Sequence, residues 1–248
     1  MSSNDSTFSC TNTNTNTNGV KSSTFKHEVA DFRLLQLISP SLPIGAFTYS
    51  QGLEWAVETN WVTDKVSLTC WLKDILYHSL VTLELPILLR IHRSIEQSDI
   101  EQVKYWSQWL HASRETSELR KEEKQRGKAT ATLLNQLDVK ADPQLLILAQ
   151  ESQLVGFALA ANHWGISSES LCSGYLWSWL ENVTMSGVKL VPLGQTAGQQ
   201  ILLLMSTLLP AALEASYQVK SHEIGSFTPA QAIASSRHET QYTRLFRS

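Results

Sequence analysis

The sequence predicts an all-α fold, a single-domain bundle of about nine to ten helices, and three observations carry that expectation. Apolar residues recur at i, i+3, i+4 and i+7 spacing through most of the 248 residues. Period-two runs rich in valine, isoleucine and threonine are missing, and the hairpin dipeptide Asn-Gly occurs only at Asn18-Gly19. The interruptions are short and fall at proline, glycine, serine and aspartate. With 42% hydrophobic and 17% charged residues, the composition suits one domain with a sizeable core.

In chain order, residues 1–24 form a polar Asn/Thr-rich leader that can bury almost nothing, so disorder is expected there. It has no basic n-region followed by an apolar stretch, which excludes a secretory signal. The helical domain is expected over 25–218. Its first periodic segments are 32–38 and 47–57, separated by a Pro40–Gly45 break. In "DKVSLTCWLKDILYHSL" the set Leu68, Trp71, Leu72, Ile75, Leu76 and Leu80 lines one helix face, and Asp64 is the expected N-cap. Further helices are expected at 87–95, 100–110, 129–137, 145–161, 171–183 and 195–215, with breaks at 98–99, 138–143, 165–168 and 192–194. Residues 219–248 have few large apolar side chains before Leu245 and Phe246. Lys220, Arg237, Arg244 and Arg247 outnumber Glu223 and Glu239 there, so this segment reads as a flexible tail that folds on a partner.

Composition excludes several function classes. A net charge of −3 gives no general footprint for nucleic acid or an anionic membrane. The most apolar stretch, "LVTLELPILLRI", carries Glu84, Pro86 and Arg90 and falls short of the roughly 20 residues a span requires, so a soluble protein is expected. Cys10, Cys70 and Cys172 are odd in number and widely spaced, as in a reducing, cytoplasmic setting.

Motifs for catalysis are broken. In "SPSLPIGAFTYSQGLE" (39–54) Ser50 lacks the glycine two residues upstream and the preceding strand that a nucleophile elbow requires. "HETQY" from His238 has Tyr242 where a zinc-protease helix places its second histidine. "GQTAGQQ" from Gly194 lacks the P-loop lysine and spacing. The histidines, His27, His78, His92, His111, His163, His222 and His238, show neither i, i+4 pairing nor a nearby cysteine pair. "SRETSELRKEEKQRGKA" (113–129) reads as a solvated helix, with a partner surface as the alternative. Tryptophan is enriched in interface hot spots, and the eight tryptophans suit a self-associating chain as well as a core.

Four blocks, "LLQLISPSLPIGAFTYSQGLEWAVETNWV", "SRETSELRKEEKQRG", "SGVKLVPLGQTAGQQ" and "IASSRHETQYTRLFRS", together resemble the urease accessory protein family usually called UreF. The resemblance spans about residues 30 to 248. It implies an all-α homodimer with no catalysis and no cofactor of its own. Such a protein bridges a UreD/UreH-type accessory protein and a UreG-type GTPase, which carries nickel and GTP, to serve apo-urease. Tyr49, Ser50, Glu54 and Lys189 are implied as the GTPase-facing surface. Arg237, His238, Glu239, Thr240, Gln241, Tyr242, Arg244, Leu245, Phe246 and Arg247 are implied as the tail that meets the UreD/UreH-type partner. Ala46 and Phe47 stand where a second glycine and an aromatic are common in the family. Two other readings remain on the residues alone: a serine hydrolase using Ser50 with a distant histidine, and a stand-alone nickel chaperone.

Overall fold

The computed structural model describes residues 21–247, and every regular element among them is helical. The expected leader lies outside the described residues as far as residue 20, and from Lys21 the backbone is already helical. The chain runs through α1 (Lys21–Leu37), α2 (Leu53–Glu58), α3 (Lys65–Ile75), a π-helical segment (Leu76–Glu84) and α4 (Leu85–Glu96). It continues through α5 (Ile100–Ala112), α6 (Ser117–Gln136), α7 (Pro143–Glu151), α8 (Gln153–Trp164) and α9 (Ser168–Leu190). Then come α10 (Gln195–Ser206), α11 (Leu209–Gln218) and α12 (Pro229–His238).

Helix α8 is the centre. Its residues from Gln153 through Ala161 are all buried, the signature of a helix enclosed on every side, and it packs against α4, α6, α7 and α9. Asp64 caps α3 as expected, accepting from Ser67 N–H at 2.8 Å while Ser67 Oγ accepts from Asp64 N–H. Two long helical expectations are divided. Residues 145–161 break at Ser152, whose extended backbone (φ −147°, ψ 128°) separates α7 from α8. Residues 195–215 bend by 43° between α10 and α11, where Pro210 starts the second helix.

Lys65–Glu96 is one helical run of 32 residues, long and apolar enough to cross a membrane by length and composition, and 72% of its most apolar window is buried inside the protein. Pro86 has no N–H, so the Thr82 carbonyl one turn back lacks its usual helical donor. Gly225 N–H fills that vacancy at 3.1 Å, and Phe227 N–H bonds the His78 carbonyl at 2.9 Å. The segment after α11 is thereby stitched onto the π-helical stretch. This corrects the reading of 219–248 as a tail outside the core. Ile224 and Ala234 belong to the hydrophobic core, and α12 packs on α2 and α6. The apolar count missed this because the seat is made by small side chains and polar bonds.

Candidate partner-binding site

The corner between α1 and α2 turns through residues with positive φ: Gly45 (73°), Gln51 (53°) and Gly52 (85°). A side chain at Gly52 would be strained by that φ, and its Cβ would stand 2.7 Å from the Ser235 nitrogen of α12. Glycine here lets α12 lie against the corner. The expected helix over 47–57 is accordingly split into a short 3-10 turn (Ala46–Thr48), an extended Tyr49 and α2.

Glu54, in the first turn of α2, is 7% exposed and its carboxylate is fully engaged. Oε1 accepts from Leu245 N–H at 2.6 Å, and Oε2 accepts from Phe246 N–H at 2.9 Å and faces His238 Nε2 at 3.1 Å. The other ring nitrogen of His238, Nδ1, meets Glu118 Oε2 at 2.8 Å, and the imidazole is wholly buried. Glu118 Oε1 accepts from Arg244 at 2.8 Å. Glu239 accepts from Ser117 N–H at 2.9 Å, satisfying a free amide at the start of α6. Arg247 N–H bonds the Thr48 carbonyl at 2.7 Å. The last residues are thus clasped to the corner and to α6 by charge-assisted hydrogen bonds.

Tyr49, Ser50 and Glu54 therefore do not form an exposed surface in this chain, a correction to the sequence expectation. Tyr49 is 7% exposed and donates to Gln125 Oε1 at 2.6 Å; Ser50 is 1% exposed and accepts from Glu54 N–H at 3.3 Å. Tucking the corner beneath α12, α6 and the segment after α12 covers them. Among the described residues no histidine bonds Ser50. Lys189 is exposed in the last turn of α9, with its ammonium 6.0 Å from the Phe47 ring centroid. In the tail, Arg237, Thr240, Tyr242, Arg244, Leu245 and Arg247 are exposed, Glu239 and Gln241 are half-buried, and His238 and Phe246 are buried.

A second polar cluster lies beside the corner, and sequence reasoning missed it. Arg114 donates to Glu84 Oε1 at 2.9 Å and to Glu123 Oε2 at 3.0 Å, and Tyr175 donates to Glu84 Oε2. Glu123 Oε1 accepts from Ser152 Oγ at 2.9 Å and Gln153 N–H at 3.1 Å, so it caps α8 across the break. Gln51 and Arg126 donate to Glu122 at 2.9 Å each. Burial alone would push the Glu84 carboxyl up, but the Arg114 guanidinium outweighs it and holds Glu84 below the ordinary range. For Glu122 burial wins over Arg126 and the carboxyl is raised. Burial, then Glu122, also raises the Tyr49 phenol. One signal was available: Glu118 and Glu122 are like charges at i, i+4, which a solvated helix disfavours and buried partners would explain.

Cys172 is buried, which pushes its thiol up to about 12, and Cys70 is exposed; both are free. Among the described residues no group of three or more histidine, cysteine, aspartate or glutamate side chains could hold a metal ion.

The family model named UreF matches residues 62–206. Relatives named urease accessory protein UreF cover nearly the whole chain. The one from Alcanivorax borkumensis is 50% identical over 225 residues, 88% of this chain and 98% of its own length. Those from Pseudomonas entomophila and Enterobacter sp. strain 638 are 48% and 43% identical over 221 and 223 residues, 89% and 90% of this chain and 99% and 100% of their own lengths. By these matches and its all-helical fold, the chain belongs to the UreF family of urease accessory proteins.

Proposed function

We propose that this chain is a non-catalytic adaptor of urease maturation. It joins a UreD/UreH-type accessory protein to a UreG-type GTPase, modulates that GTPase, and through the assembly serves nickel delivery to apo-urease. Nickel and GTP are carried by the GTPase, and this chain binds no cofactor. It acts as a cytoplasmic homodimer, apart from nucleic acid and membrane.

The observation that carries this reading is the continuity of the clasp with Lys189. Arg247 N–H bonds the carbonyl of Thr48, whose neighbour Phe47 lies under the Lys189 ammonium. A partner that grips exposed Tyr242 and Leu245 therefore acts on residues bonded to the corner beside Lys189. Tyr49, Ser50 and Glu54 serve from below by shaping the corner, and Lys189 makes the GTPase contact itself.

The test uses purified full chain in complex with the UreD/UreH-type partner. Lys189→Ala is expected to keep helical circular dichroism and that complex while weakening GTPase recruitment by about 2 to 5 kcal/mol, the usual cost of truncating one partner of a buried interfacial charge pair. Lys189→Arg keeps the charge and should restore recruitment in part if ammonium geometry matters. Wild-type recruitment by Lys189→Ala at both low and high salt would remove Lys189 from the interface. Truncation after Glu239 should abolish co-purification with the UreD/UreH-type partner. That cut is preferable to one after Tyr217, which would strip Ile224 and Ala234 from the core.

A further inference from the structure

Helix α6 sorts its charges by sign. Its three carboxylates, Glu118, Glu122 and Glu123, are all buried and bonded inside. Its lysines, Lys121, Lys124 and Lys128, are exposed on the outer side, and Arg120 is half-buried there, donating to the Arg114 carbonyl. A helix lying free in solvent would have its lysines balanced by glutamates one turn away; here those glutamates are consumed by the clasp and the inner cluster. The outer side opens on a groove of about 580 Å³ between α5, α6 and α7. Lys104 of α5 and Arg120, Lys121 and Lys124 of α6 line it, against one lining carboxylate, Glu151, which Lys124 already pairs at 2.8 Å. Beyond the lining, Glu239 stands beside Lys121 but is committed to the first amides of α6, Glu115 accepts from Ser226, and Glu101 lies one turn before Lys104 on α5. Lys104 makes no ion pair or hydrogen bond among the described residues. The chain as a whole is acidic, so this positive groove is a local inversion.

The groove also has an apolar element, since Leu148 lines it together with Ala112. No phenylalanine, tyrosine or tryptophan lines it and His111 is its one aromatic ring, whereas single-stranded nucleic acid is generally held by successive bases stacked on several aromatics. We infer that the α5–α6–α7 groove is a docking surface for an acidic segment of a partner protein, one whose carboxylates flank an apolar anchor that meets Leu148. Charge complementarity selects the segment, and the apolar contact fixes its register.

The probe is a fluorescein-labelled twelve-residue peptide, four repeats of Glu-Glu-Leu, titrated with the full chain and followed by anisotropy. The triple variant Lys104→Gln/Lys121→Gln/Lys124→Gln should weaken binding by about tenfold or more. The control Lys65→Gln/Arg93→Gln/Lys220→Gln removes the same net charge elsewhere and should leave it within about twofold. Leu148→Asn in the wild-type background should weaken the Leu-containing peptide but not a Glu-only dodecamer. All substituted side chains of the two triple variants lie at or near the surface, and unchanged circular dichroism confirms that each folds. The inference is overturned if the control variant weakens binding as much as the groove variant. It is equally overturned if a twelve-nucleotide thymidine oligomer binds the groove as tightly as the peptide, or if the peptide does not bind at micromolar concentration.

Discussion

Two buried ionic clusters share α6 and use the same chemistry, yet they differ in what they join. The inner one links Glu84, Arg114, Glu123 and Tyr175, all within the body of the bundle, and separations along the chain run from 9 to 91 residues. The clasp links Glu54 to His238, Leu245 and Phe246 across 184 to 192 residues, and Glu118 to Arg244 across 126. Opening the inner cluster requires parting the π-helical segment, α6 and α9. Opening the outer part of the clasp requires only that the segment beyond α12 lift off while His238 stays in place at the end of α12, losing hydrogen bonds and the burial of one large apolar side chain, Phe246. Similar carboxylate–cation contacts thus serve cohesion in one place and a low-energy opening in the other, because local stability follows the apolar packing around them.

The largest expected effect comes from Arg114→Met, which removes the cation bonded to both Glu84 and Glu123 and leaves only the more distant Arg126 near them. Removing one side of a buried pair costs about 3 to 5 kcal/mol, and at roughly 2 to 4 °C per kcal/mol for a chain of this size the thermal midpoint should fall by about 10 °C. Thermal circular dichroism at pH 7 checks this, and a midpoint within roughly 2 °C of wild type would make the inner cluster dispensable. The gap should depend on pH. Glu84 is held below the ordinary carboxylate range, so its contribution is complete above that range and lost as pH falls through the lower folded value. Wild type and variant should therefore converge as the medium is acidified below the ordinary carboxylate range.

Glu54→Gln is expected to have a smaller effect on stability and a larger one on local order. The amide oxygen cannot replace two carboxylate oxygens that accept from Leu245, Phe246 and His238, and each bond to a charged group contributes about 1.5 to 3 kcal/mol. Amide exchange at 245–247 should rise by about tenfold or more while exchange in α4 and α8 stays at its wild-type rate. A midpoint loss equal to that of Arg114→Met, with no change in exchange at the C-terminus, would erase the distinction between the clusters.

Much of the bundle was legible from periodicity. Asp64 capping and the Pro and Gly breaks carried local reasons that tertiary contacts did not override. The four quoted blocks identified the family, and the comparisons agree. What stayed hidden was polar and distant. Glu118, Glu122 and Glu123 read as solvent-facing; the Glu122–Arg126 pair within α6 was legible at i, i+4, whereas the partners of Glu118 and Glu123 lie off the helix, out to Arg244 and His238. The tail read as detached because Ala234, Ser235 and Gly225 carry little hydrophobic signal, although their size and backbone bonds are what seat it. Glu54 was singled out by family resemblance as a surface residue. Its carboxylate instead points inward, since Gly52 lets α12 close over it.

The smallest effect, and the one that tests whether the two clusters communicate, is expected for Tyr49→Phe. The phenol stands between them: it donates to Gln125 on α6, lies near Glu122, and has the Arg247 side chain beside it. Burial, and then Glu122, raises its pKa above the ordinary value, so it remains a neutral donor at physiological pH and no charge is lost by the substitution. Removing the hydroxyl forfeits about 0.5 to 1.5 kcal/mol, a midpoint fall of a few degrees. If the corner is only a rigid shelf, Glu54→Gln and Tyr49→Phe act independently and their effects on C-terminal exchange add. If the phenol couples Glu122 to the seat of Arg247, the double variant should fall short of the sum, since lifting the C-terminal segment with Glu54→Gln has already removed what Tyr49 holds. A double-mutant cycle read by amide exchange at 245–247 decides this, and we expect non-additivity of about 0.5 kcal/mol or more.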